Sequence, residues 1–159
     1  MSYEHLIEKH GSMVYRLAFS YTQNKDDAED AMQNVFMRLV KAQPTFNDDE
    51  HEKAWFIKVT INACKSLHLS VWKKRIVLVP IEKIKTRTRK IKDSESDVPG
   101  ALKKLTDKQR LCIHLFYYEE YSITEIAEMS KMNESTIKSH LKRGREKLRE
   151  ELLCVENDT

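Results

Sequence analysis

The chain has 159 residues with only three Gly and three Pro, and 40% of it is apolar and 33% charged. That length holds one ordinary domain or two small ones, and so few breakers among so many Lys, Glu, Leu and Ile residues point to an all-α protein. The formal net charge of +3 excludes little, but the charges are unevenly spread. Asp26–Glu52 holds eight acids against Arg38 and Lys41, Lys73–Lys92 nine bases against Glu82, and Lys131–Arg149 seven bases against Glu134 and Glu146. An acidic segment followed by two basic ones fits a protein partner for one part and a polyanion for the others.

In chain order, Leu6, Ile7, Val14, Leu17, Ala18 and Tyr21 predict a first amphipathic helix, with Gly11 as its candidate break. Ala28, Ala31, Met32, Val35, Leu39 and Val40 predict a second, opened by Asp26, Asp27, Glu29 and Asp30, which complement the positive end of a helix dipole. Residues Gln43–Glu52, with Pro44 and Phe46, read as a polar loop. Trp55, Phe56, Val59, Ala63 and Leu67 predict a third helix running into the basic Lys73-Lys74-Arg75. From residue 76 to about 100 the helical period is lost. A short apolar run stops at Pro80, and the basic Lys83–Lys92, the acidic Asp93–Asp97 and Pro99-Gly100 follow. This is expected to be a flexible charged linker between two small helical domains, 1–75 and 101–153.

Periodicity resumes at Leu105. Thr106-Asp-Lys-Gln109 and Ser122-Ile-Thr-Glu125 both fit a capping box, in which the hydroxyl accepts from the N3 amide while the Gln or Glu reaches back. After Ser122, Ile126 and Met129 share one face and Ala127 is small enough to let another helix approach. Lys131-Met132-Asn133 breaks the phase, and Ile137, Leu141, Gly144, Leu148 and Leu152 recur at three or four residues. This is the pattern of two short helices crossed over a tight turn, a helix-turn-helix. With Ile137 inward, the opposite face carries Ser135, Thr136, Ser139, Lys142, Arg143 and Glu146, flanked by Lys138 and His140. Hydroxyls and Lys can hold phosphates, and Arg143 is a candidate to bridge a guanine edge in the major groove.

Other chemistries find little support. Cys64, Cys112 and Cys154 are odd in number, widely spaced and without a CxxC, so they read as core residues rather than a disulfide framework or zinc site. His5, His10, His51, His68, His114 and His140 form no HExxH or other ligand spacing. No Gly-rich phosphate loop, nucleophile elbow or catalytic carboxylate cluster occurs, and Asp48-Asp49-Glu50 reads as an acidic loop tip. No enzyme activity, metal or cofactor is expected. The start, MSYEHLIEKH, has no apolar signal core, and no stretch approaches ~18 apolar residues, so a soluble cytoplasmic protein is expected.

The same residues resemble a known family. Leu105-Thr-Asp-Lys-Gln-Arg110, Ile123-Thr-Glu-Ile-Ala-Glu128 and Ser135-Thr-Ile-Lys-Ser-His-Leu-Lys-Arg-Gly-Arg145 are similar to the fourth region of extracytoplasmic-function (ECF) sigma factors. Asp27-Ala-Glu-Asp-Ala-Met-Gln-Asn-Val-Phe36 resembles the AED-x-x-Q-x-x-F signature of their second region. Trp55-Phe-Ile-Lys-Val-Thr-Ile-Asn62 resembles their W-L-x-x-I-A-x-N pattern. The resemblance covers about residues 3–75 and 100–152. Three positions depart from it: Lys131 stands where Gly is usual in the turn, His140 where Arg is common, and Ser66 where an acid or amide is frequent.

The resemblance implies an alternative sigma factor that binds core RNA polymerase and directs promoter recognition and melting. Asp30, Gln33, Asn34, Met37 and Lys41 would dock on the clamp helices of the largest polymerase subunit. Phe46, Asn47, Lys58, Asn62 and Lys65 would read the melted −10 element, with Lys73–Arg75 on backbone phosphate. Ser135, Thr136, Lys138, Ser139, His140, Lys142 and Arg143 would read the duplex −35 element. Asp93, Glu95 and Asp97 would mimic RNA phosphates while Lys83–Lys92 face template DNA. An anti-sigma factor is a usual partner in the family. The alternative is a stand-alone helix-turn-helix regulator with an N-terminal interaction domain, which explains the C-terminus equally well but not the two N-terminal motifs.

Overall fold

Asn24 starts one helix and Gln23 ends the one before it. Gln23 sits at φ 53, in the left-handed region, and its amide donates to the Phe19 carbonyl at 2.8 Å. One residue later the Asn24 side chain accepts from the Asp27 amide at 3.0 Å. The chain therefore turns sharply between α1 (Tyr3–Thr22) and α2 (Lys25–Ala42). The computed structural model describes residues 3–77 and 97–157, all of the regular structure there being helical. Helix α1 is continuous through Gly11, where no break occurs; the Gly11 position faces the Phe36 ring of α2 at ordinary contact distance.

Helix α3 (Asp49–Val77) begins earlier than the polar run Gln43–Glu52 implied. The Asp48 carboxylate accepts from the His51 amide at 2.7 Å, and His51 Nδ1 accepts from the Asn47 amide at 3.2 Å. Asp49, Glu50 and Glu52 then lie in a first helical turn, where acids complement the dipole. Glu52 is thereby carried inside. It is 1% exposed, with Oε1 2.6 Å from His10 Nε2 and 3.0 Å from Lys9 Nζ, which ties α3 to α1. Val14, Leu17 and Ala18 of α1, Ala28, Ala31, Val35 and Leu39 of α2, and Phe56, Ile57 and Ile61 of α3 fill the space between the three helices.

Helix α3 runs on to Val77, and α4 (Asp97–Lys103) begins before Pro99, so the helical segments reach further into the expected linker than its composition implied. The proposed roles of Lys83–Lys92, Asp93 and Glu95 fall outside the described residues.

The C-terminal half comprises α4, α5 (Asp107–Ile113) with a π-helical turn at His114–Tyr118, α6 (Ile123–Ser130) and α7 (Glu134–Asn157). Both expected capping boxes form. Thr106 Oγ1 accepts from the Gln109 amide at 3.2 Å while Gln109 Oε1 accepts from the Thr106 amide at 3.1 Å. Ser122 and Glu125 repeat the arrangement at 3.2 and 3.1 Å. Each cap contributes ~1 kcal/mol. Gly144 on α7 is buried, and a Cβ there would lie 2.5 Å from Ile113 Cδ1, 3.2 Å from Leu105 Cδ2 and 3.3 Å from Ile113 Cγ1. The missing side chain is what lets α7 close on α5. Gly144→Val should therefore cost roughly 2–3 kcal/mol by overpacking, read as a lower denaturant midpoint at unchanged m; stability equal to the parent would show that the contact yields freely.

The two halves share one hydrophobic cluster, in which Leu111, Cys112, Leu115, Ile126 and Ile137 continue the three-helix core. Cys64 and Cys112 are buried in it as free cysteines, and burial pushes both thiols up to about 12, so they remain neutral apolar fillers.

Candidate nucleic-acid interface

The turn between α6 and α7 depends on Lys131. It adopts φ 60, ψ 31 as the C-cap of α6, the left-handed conformation for which Gly would be the usual choice. The Thr124 hydroxyl donates to Glu134 Oε1 at 2.8 Å and ties the start of α6 to the start of α7. Ile126 and Met129 of α6 meet Ile137 and Leu141 of α7 in the interior. That packing fixes which side of α7 faces out. Ser135, Lys138, Ser139, Lys142 and Arg143 are exposed on it, with Thr136 and His140 half-buried at its margins.

Among the described residues, Lys138, Lys142 and Arg143 make no ion pair, whereas the neighbouring Arg145 donates to the Tyr117 hydroxyl at 3.0 Å. Three cations interleaved with hydroxyls on one exposed helix face are suited to phosphate and base edges. His140 differs from the Arg expected at its place in more than size. Burial, with the nearby Lys108 and Arg143 charges, lowers its imidazole pKa, so at neutral pH it offers a hydrogen bond and no charge.

The N-terminal half presents two further surfaces. Asp30, Gln33, Asn34, Met37 and Lys41 recur at i, i+3, i+4, i+7 and i+11 of α2, and all are exposed. Met37 is 56% and its neighbour Val40 51% exposed, an unusual apolar display for a helix otherwise amphipathic toward its own core. Behind this face, Asn34, Met37, Arg38 and Lys41 of α2 and Val59, Asn62, Ala63 and Ser66 of α3 line an open cleft of about 290 Å³.

The five residues assigned to the melted −10 strand are less uniform in placement. Phe46 is half-buried and packed against Trp55 and Phe56, with ring centroids 5.8 and 6.4 Å apart, and Trp55 meets Phe56 edge-on at 5.0 Å. Trp55 is thus part of an aromatic cluster under the loop rather than a free stacking platform. Asn47 is exposed on that loop. Lys58, Asn62 and Lys65 stand at i, i+4 and i+7 on α3, but only Asn62 is exposed and faces the cleft. Lys58 lies 3.9 Å from Glu128, and Lys65 donates to the Ser130 carbonyl at 3.3 Å, both on α6. Burial, together with Lys108 and Lys131, lowers the Lys65 pKa.

Sequence reasoning passed over a group of residues that join the halves. Arg110 reaches into the N-terminal half, where Nε donates to the Ser20 carbonyl at 2.7 Å and Nη2 to the Tyr21 carbonyl at 2.9 Å. Lys53 pairs with Glu119 at 2.9 Å, and the Arg16 guanidinium lies over the Tyr118 ring at 5.3 Å. The imidazole of His114, 3.7 Å away, and then Lys53 hold the Glu119 carboxyl down to about 2 against the opposing effect of burial. One signal for Arg110 was available: α1 has no basic residue in its last turn, so its C-terminal carbonyls lack a local cation.

Comparison with known proteins identifies the chain. The family described as Sigma-70 region 2 matches residues 6–74, and Sigma-70, region 4 matches residues 101–150. The RNA polymerase sigma factor SigV of Bacillus subtilis is 30% identical over 148 residues, covering 92% of this chain and 88% of SigV. The chain is an ECF sigma factor. A second similar protein, the ECF RNA polymerase sigma factor SigM of Mycobacterium tuberculosis, is 26% identical over 92% of this chain and 75% of its own length. In architecture the chain is similar to the sigma factor RpoE of Bartonella quintana, solved with the anti-sigma factor NepR, at a TM-score of 0.71 and 23% identity over 94% of this chain and 95% of that one. In these terms residues 6–74, within the α1–α3 unit, match sigma region 2, and residues 101–150, within α4–α7, match region 4. No helix among the described residues is long and apolar enough to cross a membrane, and no group of His, Cys, Asp or Glu there is arranged to hold a metal ion.

Proposed function

We propose that this sigma factor acts as an alternative, cytoplasmic specificity subunit: it binds core RNA polymerase and directs promoter recognition and melting. The observation that carries the proposal is the presence of both sigma regions in order on one chain, each with an exposed surface of suitable chemistry. A stand-alone regulator accounts for region 4 and leaves the region 2 match over residues 6–74 without a purpose.

Asp30, Gln33, Asn34, Met37 and Lys41 dock on the clamp helices of the largest polymerase subunit through a surface of amides, one acid and an apolar Met. The α7 face reads the duplex −35 element, with Arg143 on a base edge and Ser135, Thr136, Lys138, Ser139 and Lys142 on phosphates, while His140 adds a neutral hydrogen bond. Phe46, Asn47, Lys58, Asn62 and Lys65 meet the melted −10 strand. There the Phe46 cluster supports the loop that receives an unstacked base, and the Lys residues neutralise backbone. Nucleotidyl transfer belongs to the polymerase. An anti-sigma factor is a further partner, supported by the similarly folded sigma factor solved with one.

The roles within α7 are separable by experiment. Arg143→Ala should relax discrimination at one position of the upstream element by about 1–3 kcal/mol. Lys142→Ala should weaken binding across sequences and reduce the salt slope by about one phosphate contact. Competition binding of the holoenzyme to a promoter library at several salt concentrations reads both. A specificity profile for Arg143→Ala identical to the parent's removes the base-reading role.

A further inference from the structure

The histidines carried inside this fold differ in what surrounds them. His10 faces Glu52 and His114 faces Glu119, so each has a carboxylate to offset a proton. His140 is half-buried at the margin of the α7 face, and among the described residues its ring makes no hydrogen bond or ion pair. The charges that act on it are both positive: Lys108, exposed in the first turn of α5, and Arg143, one turn further along α7. Helices α4 and α6 are also packed on α7, and among the described residues they contribute no charge felt at the ring. Burial and the two cations hold the imidazole below its ordinary pKa. Three nitrogen-bearing side chains from two helices thus stand together without a counter-charge.

A phosphate group is the complement of such a cluster. Under the reading of α7 proposed above, on which this inference rests, duplex DNA brings phosphates to this margin of the face. They screen Lys108 and Arg143 and give an imidazolium the partner it lacks in the free chain. We propose that His140 makes −35 binding proton-coupled: the ring takes a proton from solvent as it meets the DNA backbone, and the upstream element is held more tightly in acid. Near neutral pH the ring contributes only a hydrogen bond. The sign follows from linkage. A group harder to protonate in the free chain than in the complex takes up protons on binding. Affinity therefore rises as pH falls through the pKa of the complex, and levels off below that of the free chain. The gain is a backbone contact, so it applies to every upstream element alike and leaves the base preference set by Arg143 unchanged.

The test uses holoenzyme reconstituted from the full chain and core RNA polymerase, with a fluorescent promoter duplex chosen from the library competition. Affinity is read from about pH 7.5 to about pH 5.5, the range in which an imidazole changes charge, with circular dichroism confirming the fold of the chain at both ends. Comparison with His140→Gln removes the pH dependence that belongs to the polymerase. Over this range the parent should gain about fivefold more affinity than His140→Gln, the reach of one added ion pair at a solvated surface. Its salt slope should also steepen in acid by about one phosphate contact, and that of His140→Gln should not. His140→Arg should bind at neutral pH as tightly as the parent does in acid. Where His140→Gln does not fold, the parent is compared with His140→Arg, whose pH profile should be the flatter. Equal pH profiles for the parent and the variant, or a salt slope that steepens equally in the parent and His140→Gln, overturns the coupling. Holoenzyme affinity that ignores the −35 sequence at both pH values overturns instead the reading of α7 on which the coupling rests.

Discussion

Replacing Glu52 with Ala should cost about 3 kcal/mol of stability, the upper end of the scale for leaving a buried hydrogen-bonding group without its partner. Its side chain is 2% exposed, with His10 at 2.6 Å and Lys9 at 3.0 Å on the same carboxylate oxygen. His10 is itself buried and stacked on Phe56 with ring centroids 4.4 Å apart, so truncation strands a polar ring within the aromatic core. At roughly 2–4 °C per kcal/mol for a chain of this size, Tm should fall by roughly 6–12 °C. Glu52→Gln keeps a hydrogen-bond partner for His10 and should recover more than half of the loss.

The pH dependence has a definite sign. Burial pushes the Glu52 carboxyl up, but the hydrogen bonds from His10 and Lys9 outweigh it and leave the folded-state pKa below the ordinary value. A carboxyl with a depressed folded pKa stabilises the fold above its unfolded pKa, and that contribution is lost as pH falls through the folded one. Glu52→Gln should therefore show a shallower loss of stability on acidification than the parent, measured by urea unfolding from pH 6 downward. Parallel curves for the two proteins would mean that folding leaves the Glu52 pKa unshifted.

The second large effect belongs to Arg110. Its side chain is 6% exposed and bonds to backbone carbonyls at the end of α1 and ahead of α5, and to Asp107. Charge-assisted bonds to such groups contribute about 1.5–3 kcal/mol each but are not additive, so Arg110→Met should cost about 3 kcal/mol in all. Arg110→Lys should recover only part, since an ammonium cannot serve the Ser20 and Tyr21 carbonyls with the planar fork of a guanidinium. Chemical denaturation of the full chain distinguishes this from a surface role, for which both substitutions would lie within ±0.5 kcal/mol of the parent.

These two residues also show where the sequence was legible. Local signals were read at the correct positions: Thr106 with Gln109, and Ser122 with Glu125, form the capping boxes expected of them. Ile126, Met129, Ile137, Leu141 and Gly144 face inward as their spacing required, and Lys131 adopts the left-handed backbone that a turn at that place demands. Such features depend on neighbours three or four residues away. Glu52 was read as part of a polar loop because nothing within four residues says that Asp48 caps a helix and turns Glu52 toward His10, forty-two positions earlier. Arg110 is bonded across about ninety positions. The π-helical turn at His114–Tyr118 has no composition that marks it, yet it precedes the Glu119 that meets Lys53.

The proposed site divides along the same line. The α7 face and the α2 stripe follow from helical periodicity, and their residues stand on one face each. The −10 set combined a loop with a helix, and only the packed structure reveals that Phe46 supports Trp55 and Phe56 while Lys58 and Lys65 turn toward α6. The departures at Lys131 and His140 bear on these surfaces differently. Lys131 preserves the turn geometry at some conformational cost, whereas His140 removes a permanent charge from the recognition face and so alters what that face can read.

Run-off transcription with purified core RNA polymerase tests the central claim most directly. Start sites mapped after overexpression supply the promoter template, and reactions contain core enzyme alone, this chain alone, or both. The predicted result is a discrete transcript only when both are present, strongly reduced when Met37 is replaced by Asp to place a charge in the apolar part of the α2 surface. A chain that neither associates with core polymerase nor yields a promoter-dependent transcript would contradict the assignment and leave region 4 as a DNA-binding module serving some other purpose.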